Sequence, residues 1–254
     1  HIETVNKYMA FYPQSFLYAS GIIAVSKDMI AKLQLKGVDA GKIAYIPCGV
    51  DTSSFVQIEL NAETQNFISV GRFVGKKSPL SVVKAFQKVL SSVPRAELWM
   101  VGNGPLFNEV TNYVNASGLQ SKVHLTGVLS PEEIRTLMHK MRCFVQHSVT
   151  DVNGDKEGTP VTILEAGASG LPVVSTRHAG IKEAVVDSVT GFLIDEHDIQ
   201  GMANRMIRLA TDFELATKMG KAGRLHIIEN YEITGQISKL NKVIEIAVLS
   251  RHQG

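Results

Sequence analysis

From Phe67 to the end of the chain, short apolar runs alternate with amphipathic segments, and that rhythm restricts the fold more than any other feature. Apolar runs at 67–71, 97–101, 123–126, 143–146, 172–175 and 192–194 read as strands. Helical periodicity fills the intervals at 79–92, 105–117, 131–140, 161–169 and 199–210, with further helix towards the C-terminus. Strands separated by helices pair in parallel, because each crossover carries the chain back to the edge from which it left. The expected fold is α/β, a doubly wound Rossmann-like parallel sheet.

Ahead of this unit the same reading gives a helix over 1–18, a strand over 21–25 and a helix over 27–36. Ser26 is placed to cap that second helix and Gly37 to stop it. A strand follows over 42–47, and 51–66 is irregular enough to be a linker. With 254 residues, 44% of them hydrophobic, the chain can bury a core of this size. Net charge is only +2 and the Lys and Arg residues are dispersed, so no nucleic-acid footprint stands out. Cys48 and Cys143 are the only cysteines. Neither a disulfide framework nor a zinc site is supported, which suits a reducing cytoplasm. No apolar run reaches the roughly 18 residues of a membrane span, and the first residues lack a signal-peptide pattern.

In a doubly wound sheet, ligands sit outside the carboxyl ends of the strands, so the loops there are the place to look for chemistry. After the first strand, Gly71-Arg72-Phe73-Val74-Gly75-Lys76-Lys77-Ser78-Pro79 sets three cations before a helix N-terminus. Such a turn can hold an anion, or be a solvated basic loop. Gly102-Asn103-Gly104-Pro105 lets a planar group approach the backbone, or is a plain strand-to-helix turn. Gly127-Val128-Leu129 is equally open. Between 147 and 157, Asp151, Asn153, Asp155 and Glu157 depart from a calcium loop in the place of the glycine and of the last carboxylate. Adjacent His147 and Ser148 come without a nucleophile elbow. No metal is expected.

The stretch EGTPVTILEAGASGLPVVSTRHAGIKE, from Glu157 to Glu183, carries more information. Gly158-Thr159-Pro160 opens a helix whose first N–H groups, at Val161 and Thr162, precede the internal ladder and face any anion there. Glu157 stands before this turn and Glu165 lies inside the helix. Carboxylates accept hydrogen bonds from hydroxyls and repel phosphates, so two of them flanking an anion site suit a nucleotide-sugar. The same spacing also fits an ordinary helical Glu165 and a favourable helix-start charge at Glu157.

EGTPVTILEAGASGLPVVSTRHAGIKEAV resembles the signature of the retaining glycosyltransferases of family 4, in which two glutamates are separated by seven residues. VGRFVGKKSP is similar to the same family's VGR-x-x-x-x-K segment, and VGNGP, LTGVLS and TGFLID match further segments in order. IIAVSKDMIAKL and KIAYIPCGVDTSSF resemble the close of the family's first domain and its crossover. The resemblance covers nearly the whole chain. It implies the GT-B architecture, two Rossmann-like domains, with the second holding a UDP- or GDP-sugar donor and needing neither cofactor nor metal.

Residue by residue, the resemblance implies that Arg72 and Lys77 neutralise the diphosphate, next to Gly71. Glu165 would bind the ribose and Glu157 would face the sugar. The backbone of Gly158, Thr159, Pro160, Val161 and Thr162 would cradle sugar and phosphate, while Gly102, Gly104 and Val128 would border the base. It further implies a remnant of the acceptor-side domain over 1–50, a linker over 51–66, a donor domain over 67–230 and a returning helix over 231–254. Roughly 130 to 180 residues of the first domain are then expected to precede His1. That domain would supply the acceptor site and any peripheral membrane contact. The segment 147–158 looks most like members that build exopolysaccharides. A non-catalytic nucleotide-sugar binding module and a nucleotide-sugar epimerase of related fold are the alternatives.

Overall fold

The computed structural model describes residues 12–251. It opens with helix α1 (Tyr12–Tyr18), and the earlier part of the expected 1–18 helix lies outside the described residues. Strand β1 (Ile22–Ala24), helix α2 (Lys27–Leu35) and strand β2 (Ile43–Tyr45) follow, the two strands pairing in parallel as a small sheet. Ser26 caps α2 by accepting the Met29 N–H at 3.1 Å, as its position before the helix predicts.

The main sheet contains β3 (Phe67–Val70), β4 (Leu98–Val101), β5 (Val123–Gly127), β6 (Cys143–Gln146), β7 (Val173–Thr176) and β8 (Gly191–Ile194). All its pairings are parallel, in the order β5-β4-β3-β6-β7-β8. The doubly wound Rossmann-like expectation is met. The order reverses between β3 and β6, which puts a crevice at their carboxyl ends.

Eight more helices follow among the described residues: α3 (Pro79–Val89), α4 (Phe107–Ala116), α5 (Pro131–Met138), α6 (Val161–Ala168), α7 (Ile181–Ala184), α8 (Ile199–Thr211), α9 (Phe213–Tyr231) and α10 (Ile233–Arg251). Their ends are set by local chemistry. Ser130 and Glu133 form a reciprocal capping box at α5, and Asp198 and Asp212 cap α8 and α9. Helix α4 begins at Phe107 rather than at the expected 105. Leu106 donates its N–H to Phe73 O, and that bond holds the Gly104-Pro105 turn outside the helix.

Strand alternation feeds two cores. Phe67, Cys143 and Val145 point with Phe86, Val110 and Met206 into one, under α3, α4 and α8. Ile68 and Phe144 point with Met138, Leu164 and Ile227 into the other, under α5, α6 and α9. The irregular stretch 51–66 is tied down by buried Arg142. Its guanidinium donates to the carbonyls of Asn61, Ala62 and Thr64, each at 2.9 Å. These bonds satisfy backbone oxygens that a loop without regular structure cannot pair internally.

Candidate active-site crevice

The expected site residues lie on the loops that leave the carboxyl ends of the main sheet and, for Val161, Thr162 and Glu165, in helix α6. Gly71 and Arg72 follow β3, and a single 3-10 turn over Gly75–Lys77 precedes α3. Arg72 is exposed, whereas Lys77 turns inward with its side chain only 16% exposed. Its ammonium lies 3.4 Å from Oε1 of Glu157, whose side chain is 8% exposed. That oxygen accepts no hydrogen bond, so the attraction is Coulombic. Burial pushes the Lys77 ammonium below its ordinary range, opposed mainly by the Glu157 charge.

Glu157 ends the loop after β6, and Lys77 ends the loop after β3. The two meet because β3 and β6 are neighbours in the sheet. The loops also touch along their backbones, with Val149 N–H donating to Lys76 O at 2.9 Å and Lys76 pairing with Asp155 at 3.1 Å.

Gly158-Thr159-Pro160 leads directly into α6. Pro160 O accepts the N–H groups of Ile163 and Leu164, so those of Val161 and Thr162 precede the helical ladder. Contacts from far along the chain hold this turn. Thr159 Oγ1 donates to Val25 O at 2.6 Å and accepts the Cys48 N–H at 3.4 Å. A side chain at Gly180 would sit 2.1 Å from Gly158 O, so the β7–α7 turn can lie against the Gly158 backbone only as glycine. Thr162 Oγ1 reaches Gln146 Oε1 at 3.3 Å, joining the start of α6 to the end of β6.

Glu165 sits one turn further along α6, half-buried. Burial pushes its carboxyl above the ordinary range, opposed by the charge of Arg135 on α5. The two glutamates of the signature thus stand in different surroundings, Glu157 against a cation within the crevice and Glu165 partly desolvated.

On the other side of Lys77, the loops after β3, β4 and β5 are hydrogen-bonded in sequence. Gly71 N–H donates to Val101 O at 3.0 Å, and Gly102 N–H donates to Gly127 O at 2.7 Å. Gly102 and Gly104 therefore line the shelf beside Arg72. Val128, just beyond Gly127, is 77% exposed at the rim.

Sequence reasoning weighed His147 only beside Ser148 and did not single out His178; both are essentially fully buried. His147 Nε2 accepts the His197 N–H at 3.0 Å, which leaves the ring proton on Nδ1, a buried atom without a hydrogen-bond partner. Burial, with His197 beside it, lowers His147 to about 4. His178 Nε2 accepts the Glu157 N–H at 3.1 Å, and its Nδ1 lies 2.6 Å from Glu196 Oε1. Burial acts to raise the Glu196 carboxyl, but the bonds from His178 and from the Thr150 N–H outweigh it and hold the group below its ordinary range. Among the described residues, no group of three or more His, Cys, Asp or Glu side chains could hold a metal ion. None of their helices is long and apolar enough to cross a membrane.

Comparison with known proteins identifies the family. Residues 51–226 match the family described as glycosyl transferases group 1. A putative colanic acid biosynthesis glycosyltransferase of Escherichia coli K12, WcaL, is 31% identical over 225 residues, covering 87% of this chain and 55% of that protein. The amylovoran biosynthesis glycosyltransferase AmsK of Erwinia amylovora is 31% identical over 201 residues, covering 78% of this chain and 49% of that protein. The crystal structure of Anabaena Alr3699/HepE in complex with UDP and glucose superposes with a TM-score of 0.80 at 18% identity, over 91% of this chain and 64% of that one, a likeness of fold. The chain spans about half the length of the curated relatives it matches. With more than half of its residues within the family match, the chain belongs to the group 1 glycosyl transferases.

Proposed function

We propose that this chain is the donor-holding half of a retaining glycosyltransferase that moves a hexose from a UDP- or GDP-sugar to an acceptor in polysaccharide or glycoconjugate assembly. One observation carries the reading. Lys77, Glu157 and the opening of α6 converge where the sheet order reverses, with exposed Arg72 at the mouth. As the glycosidic bond breaks, negative charge gathers on the departing diphosphate and positive charge on the anomeric carbon. Lys77, Arg72 and the first N–H groups of α6 are preorganised donors for the first charge. The Glu157 carboxylate is poised for the second and for the sugar hydroxyls. In the free protein it shields Lys77, whose buried ammonium would otherwise lack a counter-charge.

Glu165 takes the ribose hydroxyls in this reading. The backbone of Gly158, Thr159, Pro160, Val161 and Thr162 supports sugar and phosphate. Gly71, Gly102, Gly104 and Val128 line the nucleoside side. The sequence names of WcaL and AmsK support exopolysaccharide assembly, and the UDP in the HepE complex supports the donor class. We place the reaction in the cytoplasm, where the free thiols of Cys48 and Cys143 are at home.

Calorimetry with UDP, GDP and their hexose conjugates tests the assignment. Glu165→Ala is expected to weaken the bare diphosphate about tenfold, a loss near 1.4 kcal/mol. Glu157→Ala is expected to spare the bare diphosphate and alter only the affinity of the sugar-bearing form. Equal effects of the two substitutions would sink the role assignment.

A further inference from the structure

We propose that buried His178 and its partly exposed partner Glu196 are a positioning device for Glu157, and that this pair sets how the crevice discriminates among nucleotide-bound sugars. The proposal rests on the functional reading above and adds residues to it that touch neither diphosphate nor base.

The pair secures both ends of one loop. At the loop's end, His178 Nε2 accepts the Glu157 N–H at 3.1 Å. At its start, Glu196 Oε2 accepts the Thr150 N–H at 2.8 Å. Between these anchors the chain bulges into solvent, with Val152 fully exposed. His178 and Glu196 are joined at 2.6 Å, so the two anchors form one rigid link from the β7–α7 turn to the segment after β8.

Histidine suits this place because its two nitrogens do opposite work. An Nε2 that accepts an amide N–H carries no proton, so the ring proton is on Nδ1, facing the carboxylate. Both nitrogens are then satisfied in a site only 1% exposed, and the ring cannot flip without losing both bonds. The turn that carries it is itself fixed. Its backbone accepts the Ile181 N–H at 2.9 Å, and Gly180 lies against Gly158 O. Fixing the Glu157 N–H fixes the direction in which its carboxylate leaves the backbone. A displacement of a fraction of an ångström there matters to a sugar hydroxyl more than to the diphosphate, for which Arg72 and the first N–H groups of α6 would remain in place.

Three substitutions separate positioning from mere filling of space. His178→Gln keeps an acceptor where Nε2 stood. His178→Asn keeps only a donor towards Glu196, and His178→Ala keeps neither. Affinities of this chain for UDP, GDP, UDP-glucose and GDP-mannose would be measured by calorimetry. The readout is the ratio of the dissociation constants of the sugar-bearing and bare forms of whichever nucleotide binds.

In His178→Ala and His178→Asn that ratio should shift by about tenfold while the bare diphosphate stays within about twofold. His178→Gln should stay near the unsubstituted ratio. Equal weakening of both ligands, an unchanged ratio in the alanine variant, or asparagine behaving like glutamine would each overturn the proposal. If the alanine variant does not fold, the glutamine–asparagine contrast decides. Failure of the unsubstituted chain to bind either nucleotide would instead strike the functional reading, and this proposal with it.

Discussion

The two halves of the sheet's carboxyl edge reach the same end by opposite means. After β3, β4 and β5, the loops touch backbone to backbone. Gly102 has φ +128°, and a side chain there would lie 2.0 Å from Gly71 O. After β6, β7 and β8, the space is filled by buried polar side chains instead. Ser175 Oγ donates to Gln146 O at 2.8 Å, Thr176 Oγ1 donates to Ser148 O at 2.5 Å, and His147 and His178 accept N–H groups from loops beside them. The first half is shaped by missing side chains and leaves Arg72 and the glycine shelf open to water. The second half is built from buried polar side chains, most of them hydrogen-bonded, with His147 Nδ1 an exception. A crevice with one wall of each kind has an open face and a rigid face, which the proposed function gives to a planar base and a sugar respectively.

The contrast can be broken at three points, the largest first. Gly102→Ala places a methyl into Gly71 O at a backbone angle that side chains rarely adopt, so it should cost about 4 kcal/mol in chemical denaturation. A loss below 1 kcal/mol would mean that the glycine wall can yield. Lys77→Met leaves Glu157 buried opposite no cation and should cost roughly 3 kcal/mol. Adding Glu157→Gln to it should recover most of that loss, because the stranded charge is then gone. No recovery in the double variant would show that the two walls are not coupled through this ion pair.

The third point is read through pH. His147 is held neutral in the fold, with a value of about 4 against 6.5 when free. A histidine lowered in this way contributes its full stability above 6.5, and loses it as the unfolded chain takes up the proton while pH falls towards 4. The loss across that window should reach up to about 3 kcal/mol. His147→Gln keeps an acceptor for the His197 N–H and should flatten this part of the curve relative to the unsubstituted chain. Parallel curves would remove His147 from the rigid wall.

Much of the fold was legible because its causes are local. Apolar runs fell on β3 to β8, Ser26 marked a helix start and Gly37 marked a stop, whereas the Ser130–Glu133 capping box emerged only from the structure. The glycine wall was legible only as glycine-rich turns at 102–104 and 127; that Gly102 packs on Gly71 O is set by the neighbouring loops. The short helix α7 was not foreseen, being a single turn between two tight ones. Neither was the histidine wall. His178 lies within the stretch that drew most attention, yet its partners are 21 residues before it and 18 after it, and His147 is bound 50 residues away.

The sequence by itself determined that the chain would wind a parallel sheet and carry a cationic turn, glycine-rich turns and a pair of glutamates at the strand ends. Periodicity and turn chemistry act over a few residues and are written in the order of the chain. Only the tertiary structure decided that β3 would lie beside β6, bringing Lys77 against Glu157, and that His178 and Glu196 would hold the backbone from which Glu157 projects. Those pairings depend on which strands are neighbours, and strand order is chosen by the packing of the whole core.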